Sequence, residues 1–262
     1  MFRPGETVRG QVFVTLTDDP HPRSVTLQAI GVEYTNWGTQ PTYIARTHAL
    51  DQHIDLWRPA REGETLPAGA HTFPFAIDLP ATLPPSFDGI LTEIGYGLKV
   101  KVDLPRHIDL HAEAGFIVLA ATSVGDKPAA SAEARDADGR QLRLELTQSV
   151  YRLGEAIGGT VSVAGLDAGG LRRVTVELVA RERASAQGIW MEHVEREADL
   201  RVELEHVAAD SMYTFQFRIP DSAMPAFTAE HSELAWYVTA QLNVARSPDL
   251  TVEAKIIVIE PD

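Results

Sequence analysis

The sequence predicts an all-β chain built as two tandem antiparallel β-sandwiches. Three observations carry that prediction. Apolar residues recur at every second position in short runs bounded by Gly, Pro and Asp, as in strands that bury one face. No stretch shows the apolar period of a long amphipathic helix. One motif occurs twice. Phe2-Arg3-Pro4-Gly5-Glu6-Thr7-Val8-Arg9-Gly10 leads into Gln11-Val12-Phe13-Val14-Thr15-Leu16. Tyr151-Arg152-Leu153-Gly154-Glu155-Ala156-Ile157-Gly158-Gly159 leads into Thr160-Val161-Ser162-Val163, with Gly5 and Gly154 separated by 149 positions.

In chain order, Val8, Val12, Val14 and Leu16 mark a first half-buried strand. Thr17 to Pro22 is a turn by composition. Val25, Leu27 and Ala29 begin a second strand that runs on towards Tyr34, and Gly31 within it signals a bulge or a close backbone approach. Residues 36–66 look less regular, with Tyr43–Leu50 and Gln52–Leu56 as strand candidates and Arg61–Gly69 as a loop. Phe73, Phe75, Ile77 and Leu79 alternate, and Pro74 assigns their strand to a sheet edge or a break in the ladder. After the extended corner Leu83-Pro84-Pro85-Ser86-Phe87, the residues Ile94, Tyr96, Leu98, Val100 and Val102 form a long clean strand, and His111–Ala120 closes the half.

The second half repeats this order. Val25–Gln28 matches Val174–Glu177, Thr72–Phe75 matches Thr214–Phe217, Tyr96 matches Trp236 and Ile117-Val118 matches Ile257-Val258. The offset shrinks from 149 to 140 only in loops, as expected when strands are kept and connections vary. The expected domains are residues 1–122 and 140–262. Residues 123–139 are expected as a linker, with one or two helical turns at 129–135 as the competing reading. Gly165–Gly170 reads as a hairpin turn.

The ordered set aromatic-x-Pro-Gly-Glu-x-Val-x-Gly-x-Val at 2–12, Leu66-Pro67-Ala68-Gly69-x-His71-x-Phe73-Pro74-Phe75 and Leu83-Pro84-Pro85-Ser86-Phe87 resembles the amino-terminal domain of the arrestin family, in particular its α-arrestin branch. The second half is similar to the arrestin carboxy-terminal domain and to bacterial sporulation-control proteins of the same clan. The resemblance implies immunoglobulin-like, seven-stranded sandwiches that serve as a scaffold or adaptor for membrane-protein cargo or regulatory partners, without catalysis. Three of that family's devices are not carried over. Pro84-Pro85-Ser86-Phe87 has Phe where a ligase-recruiting Pro-Pro-x-Tyr has Tyr. No pair of basic residues on the first strand can be placed as a phosphate sensor, and the sequence stops at Glu260-Pro261-Asp262 without a clathrin-type tail.

The formal charge is −14. Residues 1–125 carry 9 Lys/Arg against 14 Asp/Glu, and the rest carry 14 against 23, so neither half offers the cationic footprint of a nucleic-acid binder. Cysteine is absent, which excludes disulfides and thiolate chemistry. No apolar run is long enough to span a bilayer, no secretory signal is visible, and the cytoplasm is the expected location. Gly-x-Ser-x-Gly and phosphate-loop motifs are absent, and no cofactor is expected. His107, Asp109 and His111 alternate, so on an extended strand they would share a face as candidate zinc ligands; a solvated polar face near a turn is the competing reading.

One inequality separates the two copies. Gln141–Leu146, with Leu142, Leu144 and Leu146 alternating, reads as a strand preceding the second motif, whereas only Met1 precedes the first. The first unit is therefore expected to lack a strand beside Val8, Val12 and Val14, and another segment or a second chain is expected to fill that edge. Trp37 and Trp57, in the irregular region, are candidate recognition aromatics. The expected function is a non-enzymatic scaffold for protein partners, membrane-protein cargo or self-association included; the alternative is a ligand- or carbohydrate-binding sandwich.

Overall fold

The computed structural model describes residues 1–17, 21–120, 128–166, 172–205, 208 and 210–261. The expected turn at Asp18–Pro20, the 123–127 part of the expected linker and the Gly165–Gly170 turn beyond Leu166 lie outside the described residues. Every regular element is a strand. Two compact units form: Met1–Ala120 with the short segments Ser185–Ile189 and Ala229–His231, and Ala121–Ala184 with Trp190–Thr228 and Ser232–Asp262.

In the first unit the strands are β1 (Thr7–Leu16), β2 (Ser24–Trp37), β3 (Tyr43–Trp57), β4 (Gly69–Asp78), β5 (Phe87–Asp88), β6 (Thr92–Asp103) and β7 (Leu110–Phe116). β1 and β4 form a two-stranded sheet. The other sheet runs β3-β2-β6, with β5 and β7 both paired to β6. Val14 and Leu16 of β1 bury against Val25 of β2 and Val102 of β6, and Phe73, Leu56 and Trp57 pack around them. That core follows from the alternation, which sends every second side chain of each strand inward.

The second unit carries β8 (Ala130–Arg135), β9 (Gln141–Leu146), β10 (Val150–Arg152), β11 (Ala156–Ala164), β12 (Arg172–Ala186), β13 (Ile189–Glu205), β14 (Ser211–Arg218), β15 (Phe227–Thr228), β16 (Ser232–Val244) and β17 (Leu250–Ile259). One sheet is β14-β11-β9-β8 and the other β10-β17-β16-β12-β13, with β15 on β16. The duplication is structural as well as textual. β1 pairs β4 as β11 pairs β14, with Gly10 opposite Phe75 and Gly159 opposite Phe215. The parallel Phe2–Val118 bridge has its counterpart in the parallel Tyr151–Val258 pair of β10 and β17.

Two segments differ from expectation. Within residues 36–66 the strand candidates Tyr43–Leu50 and Gln52–Leu56 are one continuous strand, β3, paired with β2, and β2 runs on to Trp37, while 58–68 is loop. Among the described residues β3 bonds only to β2 within its sheet, so most of its side chains stay partly exposed and its apolar pattern is weak. Ala130–Arg135 is neither linker nor helical turn but a strand on β9. Alanine has little β propensity of its own, and the ladder to β9 supplies what composition does not. Gly31 matches its reading on both counts. The β2–β3 register shifts between Gly31 and Val32, and a Cβ at Gly31 would strike the Tyr96 ring.

Candidate functional site

Both β1 and its counterpart β11 pair on one side, with β4 and β14. On the other side β11 pairs with β9, while β1 pairs with nothing among the described residues. The register shows which backbone groups face that open edge. Gln11 lies opposite Pro74, which has no N–H, so Gln11 cannot belong to a hydrogen-bonded pair with β4. Leu79 N–H donates to Glu6 O at 2.8 Å, which assigns the even positions to the β4 ladder. Arg9, Gln11, Phe13 and Thr15 therefore present N–H and C=O outward. The second unit agrees: Gly158, the counterpart of Arg9, accepts the Thr147 N–H through its carbonyl at 3.2 Å.

Beneath this edge lies a cavity of about 340 Å³, walled by Gly10, Val12, Leu98, Val100, Ala112 and Ala114. It exists because the facing sheet projects past β1. Leu98 and Val100 are half-buried, and Ala112 and Ala114 of β7 are exposed. Their counterparts 140 positions on, Val238, Ala240, Val252 and Ala254, are all buried. The difference is the cover. β9 inserts Leu142, Leu144 and Leu146 at this level of the second unit, each at most 2% exposed, and β8 lies against β17. The walls of the first unit's slot are apolar; at its rim, Lys99 and Glu113 pair at 3.1 Å.

The residues singled out in the sequence fall at different places. Val8 and Val14 are buried in the core, and Val12 is half-buried and lines the slot. Trp37 is 6% exposed at the end of β2, stacked on Tyr43 at 5.8 Å between ring centroids. Trp57 is half-buried against the core. Trp190 is 54% exposed, with the Arg183 guanidinium 5.1 Å from its ring centroid. His107, Asp109 and His111 do not lie along one extended strand, because β7 begins only at Leu110 and a turn with Arg106 at φ +64 precedes it. Asp109 accepts the Leu104 N–H at 3.0 Å and pairs with Lys101 at 2.9 Å. That hydrogen bond to Lys101, with the one from Leu104, holds its carboxyl below the usual carboxylate range. Among the described residues no group of three His, Asp or Glu side chains could hold a metal ion.

Leu98, Val100, Ala112 and Ala114 are not legible as a site in the sequence. The signal it carries for them is indirect: their counterparts sit under a two-stranded element, β8–β9, that has no equivalent among the described residues of the first unit. Among the described residues no helix is long and apolar enough to cross a membrane.

Residues 1–124 match the arrestin (or S-antigen) amino-terminal domain family. Arrestin domain-containing protein 15 of Caenorhabditis elegans is 24% identical over 247 residues, covering 84% of this chain and 65% of its own length. Human arrestin domain-containing protein 1 is 31% identical over 107 residues, covering 40% of this chain and 24% of its own. The chain thus spans less than two thirds of the length of these relatives. The arrestin amino-terminal domain match over residues 1–124, a relative aligned over 84% of the chain and an all-β duplicated architecture together support an arrestin-family protein.

Proposed function

We propose that this protein is a non-enzymatic, cytoplasmic adaptor that binds protein partners by accepting a strand on the open edge of β1. One observation carries the reading: β1 pairs only with β4 among the described residues, while its duplicate β11 pairs on both sides. An unpaired strand edge offers a row of backbone donors and acceptors, and an incoming extended segment satisfies them while its alternate side chains fill the pocket below. The slot supplies that pocket, and its apolar walls favour a partner with aliphatic residues at alternate positions. Membrane-protein cargo with such a segment, or a second copy of the chain, are the partner classes this reading admits.

The substitution Gln11→Pro tests it. Gln11 faces the open edge, so proline there removes an outward donor and leaves the β4 ladder intact. The expected result is loss of the partner that co-purifies with the parent chain, with an unchanged thermal transition. In the parent complex, amide exchange should slow at Arg9, Gln11, Phe13 and Thr15. A partner that binds the Gln11→Pro chain as tightly as the parent would overturn the proposal.

A further inference from the structure

We infer that the outer edge of β14 joins two copies of this chain, pairing antiparallel with itself across a two-fold axis at Phe215 so that the β14-β11-β9-β8 sheet continues into its twin. This edge is separate from β1, and the inference does not rest on the strand-addition reading above. Among the described residues β14 pairs with β11 alone. Ile219 N–H donates to Glu155 O at 3.0 Å, which assigns the odd positions to the β11 ladder. Met212, Thr214, Gln216 and Arg218 therefore present N–H and C=O to the outer edge, and their side chains are exposed.

The duplicate strand shows why this edge is the open one. Gly10 opposite Phe75 and Gly159 opposite Phe215 fix the structural correspondence of β4 and β14. In that register Thr214 stands where β4 has Pro74. Proline has no N–H to give, so the outer edge of β4 is closed to a further strand at the place where β14 can donate. β3, at the rim of the other first-unit sheet, is interrupted by a register shift and exposes Arg46, His48, Asp51, His53 and Asp55 along one face. Bulges and charges of this kind blunt an edge. β14 has neither device. Its eight residues pair with β11 in unbroken register, and its exposed row carries one charge, Arg218, at the end.

Self-pairing also fits side chain by side chain. With the axis at Phe215, Thr214 meets Gln216 of the second copy and Met212 meets Arg218, each as a hydrogen-bonded pair. Met212 is 68% exposed in the single chain, and the aliphatic stem of the opposing arginine covers it. On the inner face Tyr213 meets Phe217 and the two Phe215 rings meet each other, which extends the stacked Phe215–Phe217 pair, 5.6 Å between centroids, by cross-strand aromatic contacts. No two like charges come opposite. Both copies use the same patch, so the assembly closes as a dimer.

Sedimentation and light scattering on the full chain read the dimer directly, and the parent should pass from monomer to dimer as its concentration rises. Thr214→Pro gives β14 the residue that β4 already holds at this place. Thr214 lies opposite Thr160 outside the hydrogen-bonded pairs with β11, so the variant should stay monomeric with an unchanged thermal transition. Met212→Arg and Met212→Glu alter one exposed side chain and no backbone group. The arginine sets two symmetry-related like-charge pairs against Arg218 and should weaken the dimer about tenfold; the glutamate should tighten it. Because the chain has no cysteine, Thr214→Cys and Gln216→Cys each introduce a single thiol. On air oxidation the two variants mixed should form a 214–216 disulfide, since paired Cα atoms about 5.5 Å apart lie within disulfide reach. A parent chain that stays monomeric at every concentration reached, or a dimer indifferent to Thr214→Pro and to the sign of the charge at position 212, would overturn the inference. Neither result bears on β1, whose edge Gln11→Pro tests by itself.

Discussion

Glu6 and Glu155 do the same work 149 residues apart. Each accepts the N–H of the arginine three residues earlier in its carboxylate, Arg3 at 2.7 Å and Arg152 at 2.8 Å. Each also donates its own N–H back to that arginine's carbonyl, at 3.1 and 2.9 Å. The intervening glycines have φ +85 and +75, a region that L side chains enter only with strain. The repeated Gly-Glu thus encodes a closed turn that launches β1 and β11, and a turn closed within four residues is legible from those residues alone. Glu155→Ala should lower unfolding free energy by about 1 kcal/mol in urea titrations. Gly5→Ala should cost roughly 1 kcal/mol through backbone strain alone, since its Cβ would only touch Ala81 at 3.9 Å. Gly154→Ala should cost a similar amount, because the Asp221 carboxylate that its Cβ would meet ends an exposed side chain that can swing aside.

A second residue-scale duplication changes chemistry and keeps geometry. The buried Tyr96 hydroxyl donates to Pro84 O at 2.7 Å, and the Trp236 indole N–H donates to Met224 O at 2.9 Å, both pairs separated by 12 residues. Burial pushes the Tyr96 hydroxyl well above the ordinary tyrosine range. Asp109 is shifted the opposite way, by its hydrogen bonds to Lys101 and the Leu104 N–H. A carboxyl depressed in the folded state stabilises the fold above its unfolded pKa, and that contribution is lost as pH falls through the folded pKa. NMR titration should find the Asp109 midpoint below that of an unperturbed aspartate, and Lys101→Met should move it upward.

At the scale of elements, β1 and β11 are the informative pair because they differ in neighbours more than in sequence. Val161 is fully buried under β9, whereas Val12 is half-buried beside an unpaired edge. Val161→Ala should therefore cost roughly 2–3 kcal/mol and Val12→Ala roughly 1 kcal/mol or less, measured by denaturant unfolding. Leu144→Ala, at a fully buried position of β9, should cost about 2–5 kcal/mol. Legibility follows the same division. Strands that bury one face against a full sheet, such as β6 with Ile94 to Val102, announce themselves by alternation. β3 shows only as the two candidates Tyr43–Leu50 and Gln52–Leu56, since an edge position lets it keep polar side chains, and β8 does not show at all, since a covering position lets it use alanine. Gly31 and Pro74 are legible because each forbids something local: a Cβ against the Tyr96 ring, and a ladder donor at Gln11.

On the scale of the whole molecule, the two units share one design, with a β8–β9 pair in the second and no counterpart to it among the described residues of the first. The first unit leaves Leu98, Val100, Ala112 and Ala114 partly or fully exposed where the second buries the corresponding positions. Amides of β1 and β7 should exchange with solvent faster than those of β11 and β17, because fewer buried apolar contacts oppose local opening. Mass-spectrometric exchange on the intact chain compares all four strands in one experiment. The sequence alone determined the all-β class, the duplication and the closed turns, because alternation, repetition and backbone strain are properties of a few neighbouring residues. Only the tertiary structure brought Leu98, Val100, Ala112 and Ala114 together beneath the β1 edge that the sequence had already marked. The slot is made of side chains from β1, β6 and β7, and it opens beside a β1 edge that pairs with nothing among the described residues, a relation between distant segments that no local pattern encodes.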